Sequence, residues 1–591
     1  MCNLARRLTI PLLACLSLVS AVEALANSPP SQDAVLDRVF REYLDQAFRL
    51  EPLMATRLGD HRYDDQLDDL SPDARARRIQ HDRDTLARLR KLVNFAQLTR
   101  DGQIDLEIFE KHLIRSIWLA DTFRPFEDDP RIYGDYLSES VYLPLTQSSL
   151  PRALNVRNVT ARMARIPAVV DVARATLKNP SRVRVETAIR QTEGAIAFYS
   201  GELQAIAGVD AGDKLFTDRA AGVKRALVEH LTFLKHDLLP RASGEWRIGR
   251  PNFERKLALE LDSGIEAGEL LGEAEREADR VETEMAVIAR QLFAVYFPGE
   301  PLPLDDAPGR RALTRRVLGK IGEDHGDALH LVADIKGTVE EIKEFIRVRR
   351  ILTLPEPDQC RIVAMPEFMR GNSVAYLNPA PPLDAQGSSE YALSPPPADW
   401  TPARVESFLC EYNRRMLKIL TIHEAYPGHY VQLEHSNRCP SFIRRVLSSG
   451  VFAEGWAVYS EQMMLDQGYG GGDPALRLQQ LKFYLRAVVN AILDHRMHVG
   501  SMTEAEAAEL LQERAFQTEG EAVGKLIRAK QTSCQLSTYF AGRVAFHRLR
   551  QQIQRELGPR FNLKEFHDAV LAQGTVPVSY LPELVHRALK P

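Results

Sequence analysis

Apolar side chains recur at helical spacing along most of this chain. Within residues 33–50, for example, Val35, Val39, Phe40 and Phe48 fall close to a 3.6-residue period. The same pattern predicts further helices over 71–95, 154–178, 183–206, 221–238, 264–294, 329–349, 401–424, 474–499 and 503–517. Only Arg361–Pro366 and Ser373–Leu377 alternate as strands do. The pattern therefore predicts a mainly α-helical protein with little sheet.

Residues 378–399 interrupt the helical pattern with six prolines and few apolar side chains. We expect a loop there, on the surface or over a cleft, because a long irregular segment is hard to bury. The pattern thus predicts a helical N-terminal part over 27–350. A second part over 351–591 begins with the strand-bearing segment and continues with helices.

The first 26 residues have the layout of a signal peptide. Arg6 and Arg7 precede an apolar run over 8–22, and Ala-Leu-Ala at 24–26 is a typical cleavage signal. The run is shorter than a membrane-spanning helix requires. Lipid attachment at Cys15 is the alternative, but it would leave residues 16–22 apolar in the mature chain. We expect cleavage after Ala26 and a periplasmic or secreted protein without a membrane span.

Composition narrows the class of protein. The 591 residues are 45% hydrophobic and 26% charged, which excludes a disordered, collagen-like or coiled-coil chain. The net charge is −4 and no cationic stripe is present, which argues against a nucleic-acid partner. One or two disulfides are compatible with export, although spacing does not determine their pairing. The cysteines available after residue 26 are Cys360, Cys410, Cys439 and Cys534.

Candidate chemistry is concentrated between His423 and His429, which enclose the sequence Glu-Ala-Tyr-Pro-Gly. In zinc hydrolases two such imidazoles hold the ion, and the glutamate after the first activates water. The usual spacing is four residues. The spacing of six here would turn His429 about 240° away from His423 at ~100° per residue. Pro427 cannot donate a helical hydrogen bond and Gly428 frees the backbone, so we hypothesise a break that returns His429 to His423.

The best candidate for a third ligand is Glu454. It lies in an apolar segment between Ala453 and Gly455, where a helix can approach closely. A buried carboxylate needs a partner, and a metal ion supplies one. Glu461 lies seven residues later on the same helix face, where it can orient a ligand histidine.

The residues of this site also have ordinary structural explanations. Taken singly, Glu461, Asp494 and His498 are equally well explained as salt-bridge members or satisfied core positions. That explanation suits the two histidines, Glu424 and Glu454 poorly, because together they supply every ligand type of a known zinc chemistry.

These motifs together resemble the bacterial DUF885 family. The family pattern is matched from His423 to His429 with Gln432, and again over 454–461. Three further elements are similar, namely 51–59 near the start, Arg486 with Asp494 and His498 in a helix, and 535–542 near the end. The resemblance covers nearly the whole mature chain, so 27–591 is expected to be one family unit.

Three departures from the family pattern stand out. Tyr430 occupies the place of a second histidine that commonly follows the position of His429. The segment 494–498 keeps only the aspartate and histidine of the family's Asp-Thr-Gly-x-His, and 533–534 is Ser-Cys instead of Pro-Gly. The residues expected to act in catalysis are all retained.

The family comprises predicted zinc metallohydrolases similar in layout to gluzincin peptidases of the thimet-oligopeptidase kind. The resemblance implies a mainly α-helical, two-lobed bundle with a deep cleft and a short β-sheet near the metal-binding helix. It implies that Zn²⁺ is held by the two histidines and Glu454. Glu461 and Asp494 are expected to support the ligands from behind.

We expect an exported zinc peptidase that hydrolyses a small peptide or amide substrate. Glu424 would act as the general base. Tyr539 and His498 are the candidates for stabilising the oxyanion, with Tyr539 preferred because it lies in an element that matches the family. A hydrolase of another acyl or amide bond, such as an N-acyl conjugate, remains an alternative. A non-enzymatic periplasmic binding protein is a second one, which the intact Glu424 disfavours.

Overall fold

The computed structural model describes residues 31–210, 212–365, 374–397, 400–500 and 502–590. The predicted signal peptide over 1–26, with Cys15 and the expected cleavage position, lies outside the described residues. No helix within the described ranges is long and apolar enough to cross a membrane.

Helices form most of the described chain, so the prediction of a mainly α-helical fold is confirmed. In the first half they are α1 (Gln32–Leu50), α2 (Pro52–Leu58), α3 (Pro72–Leu92), α4 (Arg100–Thr122), α5 (Pro125–Asp128), α6 (Arg131–Thr146), α7 (Arg152–Met163), α8 (Ile166–Thr176), α9 (Arg182–Ala197), α10 (Leu203–Ala207), α11 (Lys214–Phe233), α12 (Leu239–Arg241), α13 (Gly249–Leu261), α14 (Ala267–Tyr296), α15 (Ala307–Gly322) and α16 (Leu331–Arg349).

The helices continue after the sheet. They are α17 (Pro402–Glu411), α18 (Arg414–Glu424), α19 (His429–Asn437), α20 (Phe442–Val446), α21 (Gly450–Asp466), α22 (Pro474–Val499), α23 (Glu504–Glu509), α24 (Glu519–Gln531), α25 (Thr538–Leu557), α26 (Leu563–Leu571) and α27 (Leu581–Leu589). The functional candidates lie on α18 to α25.

Polar caps explain several boundaries. The Ser71 hydroxyl accepts a hydrogen bond from the backbone NH of Ala74 and starts α3. The predicted helix over 401–424 is divided in two, because the side chain of Asn413 accepts from the NH groups of Arg415 and Met416 and starts α18. A helical period alone does not reveal such a cap inside a run.

The sheet has three strands, β1 (Cys360–Ala364), β2 (Ala375–Asn378) and β3 (Ser389–Leu393), in the order β1-β3-β2. Strand β3 runs parallel to β1 and antiparallel to β2. Both predicted strands are present as β1 and β2. The expectation of a surface loop over 378–399 is wrong in its middle, because β3 is the central, fully buried strand.

A charge pair explains how β3 is buried despite its polar sequence. Glu390 lies opposite Arg361 of β1, whose guanidinium donates to its carboxylate at 2.5 Å. The Ser389 hydroxyl accepts from the backbone NH of Ala380 at 2.9 Å. Partners supplied by the fold satisfy polar groups that, in the sequence alone, indicate exposure.

Buried apolar side chains form two clusters. The smaller cluster contains residues of α2, of α6 to α11 and of the segments between them. The larger contains residues of α1, α4, the sheet and most of the chain from α13 to α27. The helices α18 to α25 belong to the larger cluster, which gives the candidate site a rigid, well-packed surrounding. The predicted division of the chain near residue 350 stays a prediction.

The four cysteines within the described residues are free. Cys439 and Cys534 are buried, and Cys360 and Cys410 are partly exposed. Disulfides, which the sequence left open, therefore contribute nothing to this structure.

Candidate metal centre

The helix that carries the His-Glu motif breaks within the motif. Helix α18 ends at Glu424, and α19 begins at His429. Between them the chain folds back, so that the backbone NH of Gly428 donates to the carbonyl of Ile422 at 3.0 Å. The break inferred from the proline and glycine is therefore present.

Close approach within this turn requires a glycine. A Cβ atom on Gly428 would lie 1.9 Å from the carbonyl oxygen of His423 and 2.4 Å from that of Ile422. The turn is also anchored from outside, because the indole NH of Trp456 donates to the carbonyl of Pro427 at 2.8 Å. These contacts determine the direction in which the chain returns.

The turn brings the two imidazoles together with Glu454. The ring centroids of His423 and His429 lie 4.9 Å apart and the rings are nearly perpendicular, at 87°. The Nε2 atoms lie 3.7 Å and 3.4 Å from Oε2 of Glu454, for His423 and His429 respectively. One nitrogen or oxygen atom from each of the three residues falls within 4.8 Å of the other two. The three residues predicted as ligands thus converge on one point.

Glu454 reaches this point because two helices touch backbone to backbone. A Cβ atom on Gly455 of α21 would lie 2.4 Å from the Cα of Gly542, and one on Gly542 of α25 would lie 2.2 Å from the carbonyl oxygen of Val451. Only glycine on both helices permits this crossing. Glu454 is the residue directly before this crossing, so the contact fixes the position of its carboxylate along the helix axis.

Glu461 orients the first imidazole. It is fully buried, and one of its carboxylate oxygens lies 2.7 Å from Nδ1 of His423. A proton on Nδ1 leaves Nε2, the nitrogen that faces Glu454, as the free lone pair. Without an ion, burial opposes a charge on His423, but the carboxylates of Glu454 and Glu461 outweigh it and raise the imidazole pKa well above its usual value, so a cation at Nε2 would take the place of a proton there.

Glu454 is subject to opposing influences on its charge. Burial favours its neutral form, but the facing imidazoles of His423 and His429 outweigh this and hold the pKa of the carboxyl well below its usual range. Its Oε2 atom is buried, and no donor in the described structure satisfies it. Two imidazoles and an unsatisfied carboxylate oxygen form a donor set that suits a zinc ion.

Glu424 closes α18 directly after His423 and is placed beside the same group. Burial is the main cause that raises the pKa of its carboxyl, while the two imidazoles partly oppose the shift. The backbone NH of Leu377 in β2 donates to the carboxylate. A carboxylate with a raised pKa is a stronger base, which suits the role predicted for it.

Tyr539 lies in the first turn of α25, three residues before the helix crossing at Gly542. Its hydroxyl accepts a hydrogen bond from the guanidinium of Arg528 at 3.1 Å. Burial, and next the negative charge of Glu454, raise the pKa of Tyr539 to about 12. The phenol therefore keeps its proton at neutral pH and can donate a hydrogen bond towards the metal centre.

Asp494 supports Tyr539 rather than a histidine. Its carboxylate accepts from the backbone NH groups of Cys534 and Ser537, at 3.0 Å and 3.1 Å, and from the Ser537 hydroxyl at 2.8 Å. These bonds hold the turn that leads into α25. Burial raises the pKa of Asp494 to about 6, because desolvation outweighs the bonds that it accepts.

His498 has a different set of neighbours. Its Nε2 lies 3.0 Å from the carbonyl of Ala529 and 2.8 Å from that of Thr532, at the C-terminal end of α24, and its ring stacks on Phe253. No contact within the described residues connects it with the two ligand histidines or Glu454. These contacts favour a role in anchoring α24, and Tyr539 becomes the single candidate for the oxyanion donor.

Tyr430, which replaces a family histidine, faces away from the metal centre. Its hydroxyl donates to Asp358 at 2.9 Å, beside the hydroxyl of Tyr426 at 2.7 Å, and Lys343 pairs with the same carboxylate at 2.8 Å. A histidine at this position would meet Asp358. The departure from the family pattern therefore leaves the three converging residues intact.

Two cations of α24 near this group had not been singled out from the sequence. Lys525 and Arg528 are three residues apart, so they share one face of the helix. Such pairs are common on exposed helices, and only the packing of α24 reveals that Arg528 contacts Tyr539.

A second group of potential ligands lies elsewhere. His325, Glu406 and Cys410 also bring one ligand atom each within 4.8 Å of one another. Glu406 and Cys410 stand one turn apart on α17, and Nε2 of His325 lies 3.1 Å from the Glu406 carboxylate. Glu406 is exposed in this group, and His325 and Cys410 are partly buried.

Comparison with known proteins places the chain in a family. The model of the DUF885 family, described as "bacterial protein of unknown function", matches residues 52–585. The chain belongs to this family, as the resemblance had indicated. No curated protein matches the chain.

Two solved structures share the fold over their whole length. One, described as a "putative lipoprotein of unknown function" from Shewanella oneidensis, is 30% identical with a TM-score of 0.78, covering 93% of this chain and 99% of that one. The other, described as a "putative lipoprotein" from Colwellia psychrerythraea, is 20% identical with a TM-score of 0.73 and covers 94% and 99%. The second likeness shows the fold alone.

Proposed function

We propose that this member of the DUF885 family is an exported, zinc-dependent hydrolase of peptide or amide bonds. The observation that carries the proposal is the convergence of His423, His429 and Glu454 on one point, where a buried carboxylate oxygen has no donor. A carboxylate desolvated in this way is costly unless a cation offsets its charge.

The two imidazoles and Glu454 would hold the ion, and Glu461 would keep His423 in the tautomer that binds it. Bound there, zinc supplies the Lewis acidity that activates water and polarises the substrate carbonyl.

Glu424 and Tyr539 would carry out the remaining chemistry. Hydrolysis adds the hydroxyl of one water to the acyl carbon and its proton to the departing amine nitrogen. Glu424 takes that proton from the water and passes it to the amine, for which its raised pKa suits it. The protonated Tyr539 hydroxyl donates to the negative charge that develops on the carbonyl oxygen.

Export is the location that best suits the chain. The signal-peptide layout of residues 1–26 supports it, and the similar structure from Shewanella oneidensis is described as a "putative lipoprotein". We keep cleavage after Ala26, and with it a periplasmic or secreted enzyme, as the proposal.

The direct test is a digest of a broad peptide library, with and without a chelator, alongside measurement of bound metal. We expect about one zinc per chain, cleavage that stops on chelation, and recovery of cleavage when zinc is returned. A chain that binds no metal, or a digest that a chelator leaves unchanged, would refute the proposal.

Glu424→Gln separates catalysis from metal binding. Because it removes the base but none of the three ligands, we expect it to lower the rate roughly 10²- to 10⁴-fold. Zinc content should stay that of the wild type, measured by atomic emission on the same preparation. A Gln variant with full activity would exclude Glu424 as the base.

A further inference from the structure

Two cations of α24 lie near the candidate metal centre without a carboxylate partner. Arg528 donates only to neutral acceptors, the side-chain oxygen of Gln535 at 2.7 Å and the hydroxyl of Tyr539 at 3.1 Å. The described structure gives Lys525 neither a hydrogen bond nor an ion pair. By contrast, Lys530 of the same helix pairs with Glu504 at 2.9 Å. The positive charge of this face is therefore not neutralised.

One chain of contacts connects this face with Glu454. Arg528 touches Tyr539, which stands one turn before Gly542, where α25 crosses α21. On α21, Glu454 precedes the crossing residue Gly455. Tyr539 therefore lies on the side of the crossing that carries Glu454. The negative charge of Glu454 accordingly raises the pKa of Tyr539, and Arg528 is held on the same side by its bond to the phenol.

A second, independent chain of contacts reaches Lys525 from His423. The ring of Phe483 packs edge-on against His423 with 5.6 Å between centroids, and the guanidinium of Arg486 lies 5.6 Å from the Phe483 centroid. Arg486 pairs with Glu521 at 3.0 Å. Lys525 follows Glu521 by one helical turn, so it lies on the same face of α24, close enough for the charge of Glu454 to act on it.

The surroundings of Lys525 are those of a cation that lacks its anion. Burial is the main cause that lowers the pKa of its ammonium to about 7, and the positive charges of Arg486 and Arg528 add to the shift. Glu521 and Glu454 oppose the shift without cancelling it. An anion bound between Lys525 and Arg528 would relieve this repulsion.

We propose, on the basis of the proposed function, that Lys525 and Arg528 bind the terminal carboxylate of the substrate. The guanidinium offers a planar fork that matches a carboxylate, and the ammonium adds a point charge beside it. The preferred substrates are then peptides or N-acyl amino acids with a free C-terminal carboxylate close to the bond that is cut.

Matched substrates test this preference. The best library peptide is prepared with a free C-terminal carboxylate and with a C-terminal amide, and kcat/KM is measured for both. We expect the acid to be preferred roughly 10- to 100-fold, the size of one charge-assisted contact. Equal use of acid and amide by the wild-type enzyme would overturn the proposal.

Lysine variants assign the preference to one residue. Lys525→Met should reduce the ratio of acid to amide to near one, mainly through KM of the acid. Lys530→Met removes a lysine of the same helix that already has a partner, so it should keep the wild-type ratio. Preference for the acid that persists in Lys525→Met would contradict the assignment.

A binding measurement on the metal-free, unmodified chain separates this inference from the proposed function. Lysines are acylated with a limiting amine reagent near neutral pH and quantified by mass spectrometry. N-acetyl-L-alanine should protect Lys525 at least ~10-fold better than its neutral amide does, as expected for the loss of one charged contact, and should leave Lys530 unaffected.

The outcomes are distinguishable. Protection of Lys525 without any metal-dependent hydrolysis keeps the carboxylate site and refutes the hydrolase. Metal-dependent hydrolysis without protection refutes the carboxylate site and keeps the hydrolase. Protection by inorganic phosphate that exceeds protection by N-acetyl-L-alanine would also overturn the assignment to carboxylates.

Discussion

Within the described residues, two groups of three potential metal ligands differ in their surroundings. His423, His429 and Glu454 have side chains 7%, 14% and 21% exposed. The second group, introduced above as His325, Glu406 and Cys410, has its glutamate 62% exposed. In both groups the ligand atoms lie within 4.8 Å of one another. Proximity alone therefore does not distinguish them.

The two groups differ in how far the negative charge of their ligand atoms is left without hydrogen bonds or solvent. In the buried group, Glu454 carries an oxygen without a donor, and Glu461 fixes the tautomer of a histidine. In the exposed group, water can solvate Glu406. Burial, and next the charge of Glu406, raise the pKa of the Cys410 thiol, so it stays protonated and is a poor ligand. The comparison predicts one metal site in this part of the chain, not two.

Removing a histidine from each group should produce the largest difference. His429→Ala deletes a proposed ligand. Substitutions of residues that only support a ligand lower metal affinity roughly 10- to 100-fold, so the zinc affinity of this variant should fall by more than that. His325→Ala should keep one zinc per chain. Zinc content after dialysis against a buffered zinc solution measures both. Loss of zinc from His325→Ala would reverse the comparison.

Removing a supporting charge should have an intermediate effect. Glu461→Gln keeps the shape of the side chain but weakens its hold on His423, so zinc affinity should fall roughly 10-fold. Glu406→Gln is the matched change in the exposed group and should leave the affinity unchanged. Competition with a zinc-binding dye gives both values. Equal affinities for both variants would show that Glu461 does not support a ligand.

Gly428→Ala tests the turn that makes the buried group possible. The new Cβ would collide with the carbonyl of His423, so we expect the free energy of unfolding to fall by about 1–3 kcal/mol. Gly450→Ala is the control, because a Cβ there meets no atom within 4 Å and should change stability by less than about 0.5 kcal/mol. Urea unfolding compares them. A Gly428→Ala protein as stable as the wild type would refute the steric argument.

Cys410→Ser should have the smallest effect. The exposed group is expected to hold no ion, so replacing its thiol should change neither zinc content nor activity, and stability by less than about 0.5 kcal/mol. Zinc analysis and the peptide digest on one preparation check this. A measurable loss of zinc would show that the exposed group is a second site.

The sequence predicted the break of the motif helix, because Pro427 and Gly428 act through local backbone chemistry. It also predicted that the break returns His429 to His423, but it did not reveal the bond from Trp456 that anchors the turn. Helices were predictable from periodicity, but the cap at Asn413 that divides one of them was not. Hydrophobic periodicity thus predicted the helices, whereas the side-chain cap that divides one of them and the distant contact that anchors the turn were found only in the structure.

Strand β3 and the α24 cations were missed because their properties depend on residues far away in the sequence. Glu390 indicates exposure until Arg361 is known to face it, and Lys525 resembles any surface lysine until its lack of a partner is seen. In both cases the property belongs to a pair of residues far apart in sequence. The same holds for Asp494, whose bonds to the turn before α25 could not be deduced from its spacing.

The crossing of Gly455 and Gly542 has a mechanical consequence. Because α21 and α25 touch through their backbones, the two helices must move as a single body, and neither can slide past the other without a steric clash. The carboxylate of Glu454 and the hydroxyl of Tyr539 therefore keep a constant separation while a substrate enters or a product leaves. Any opening motion therefore has to occur at another helix.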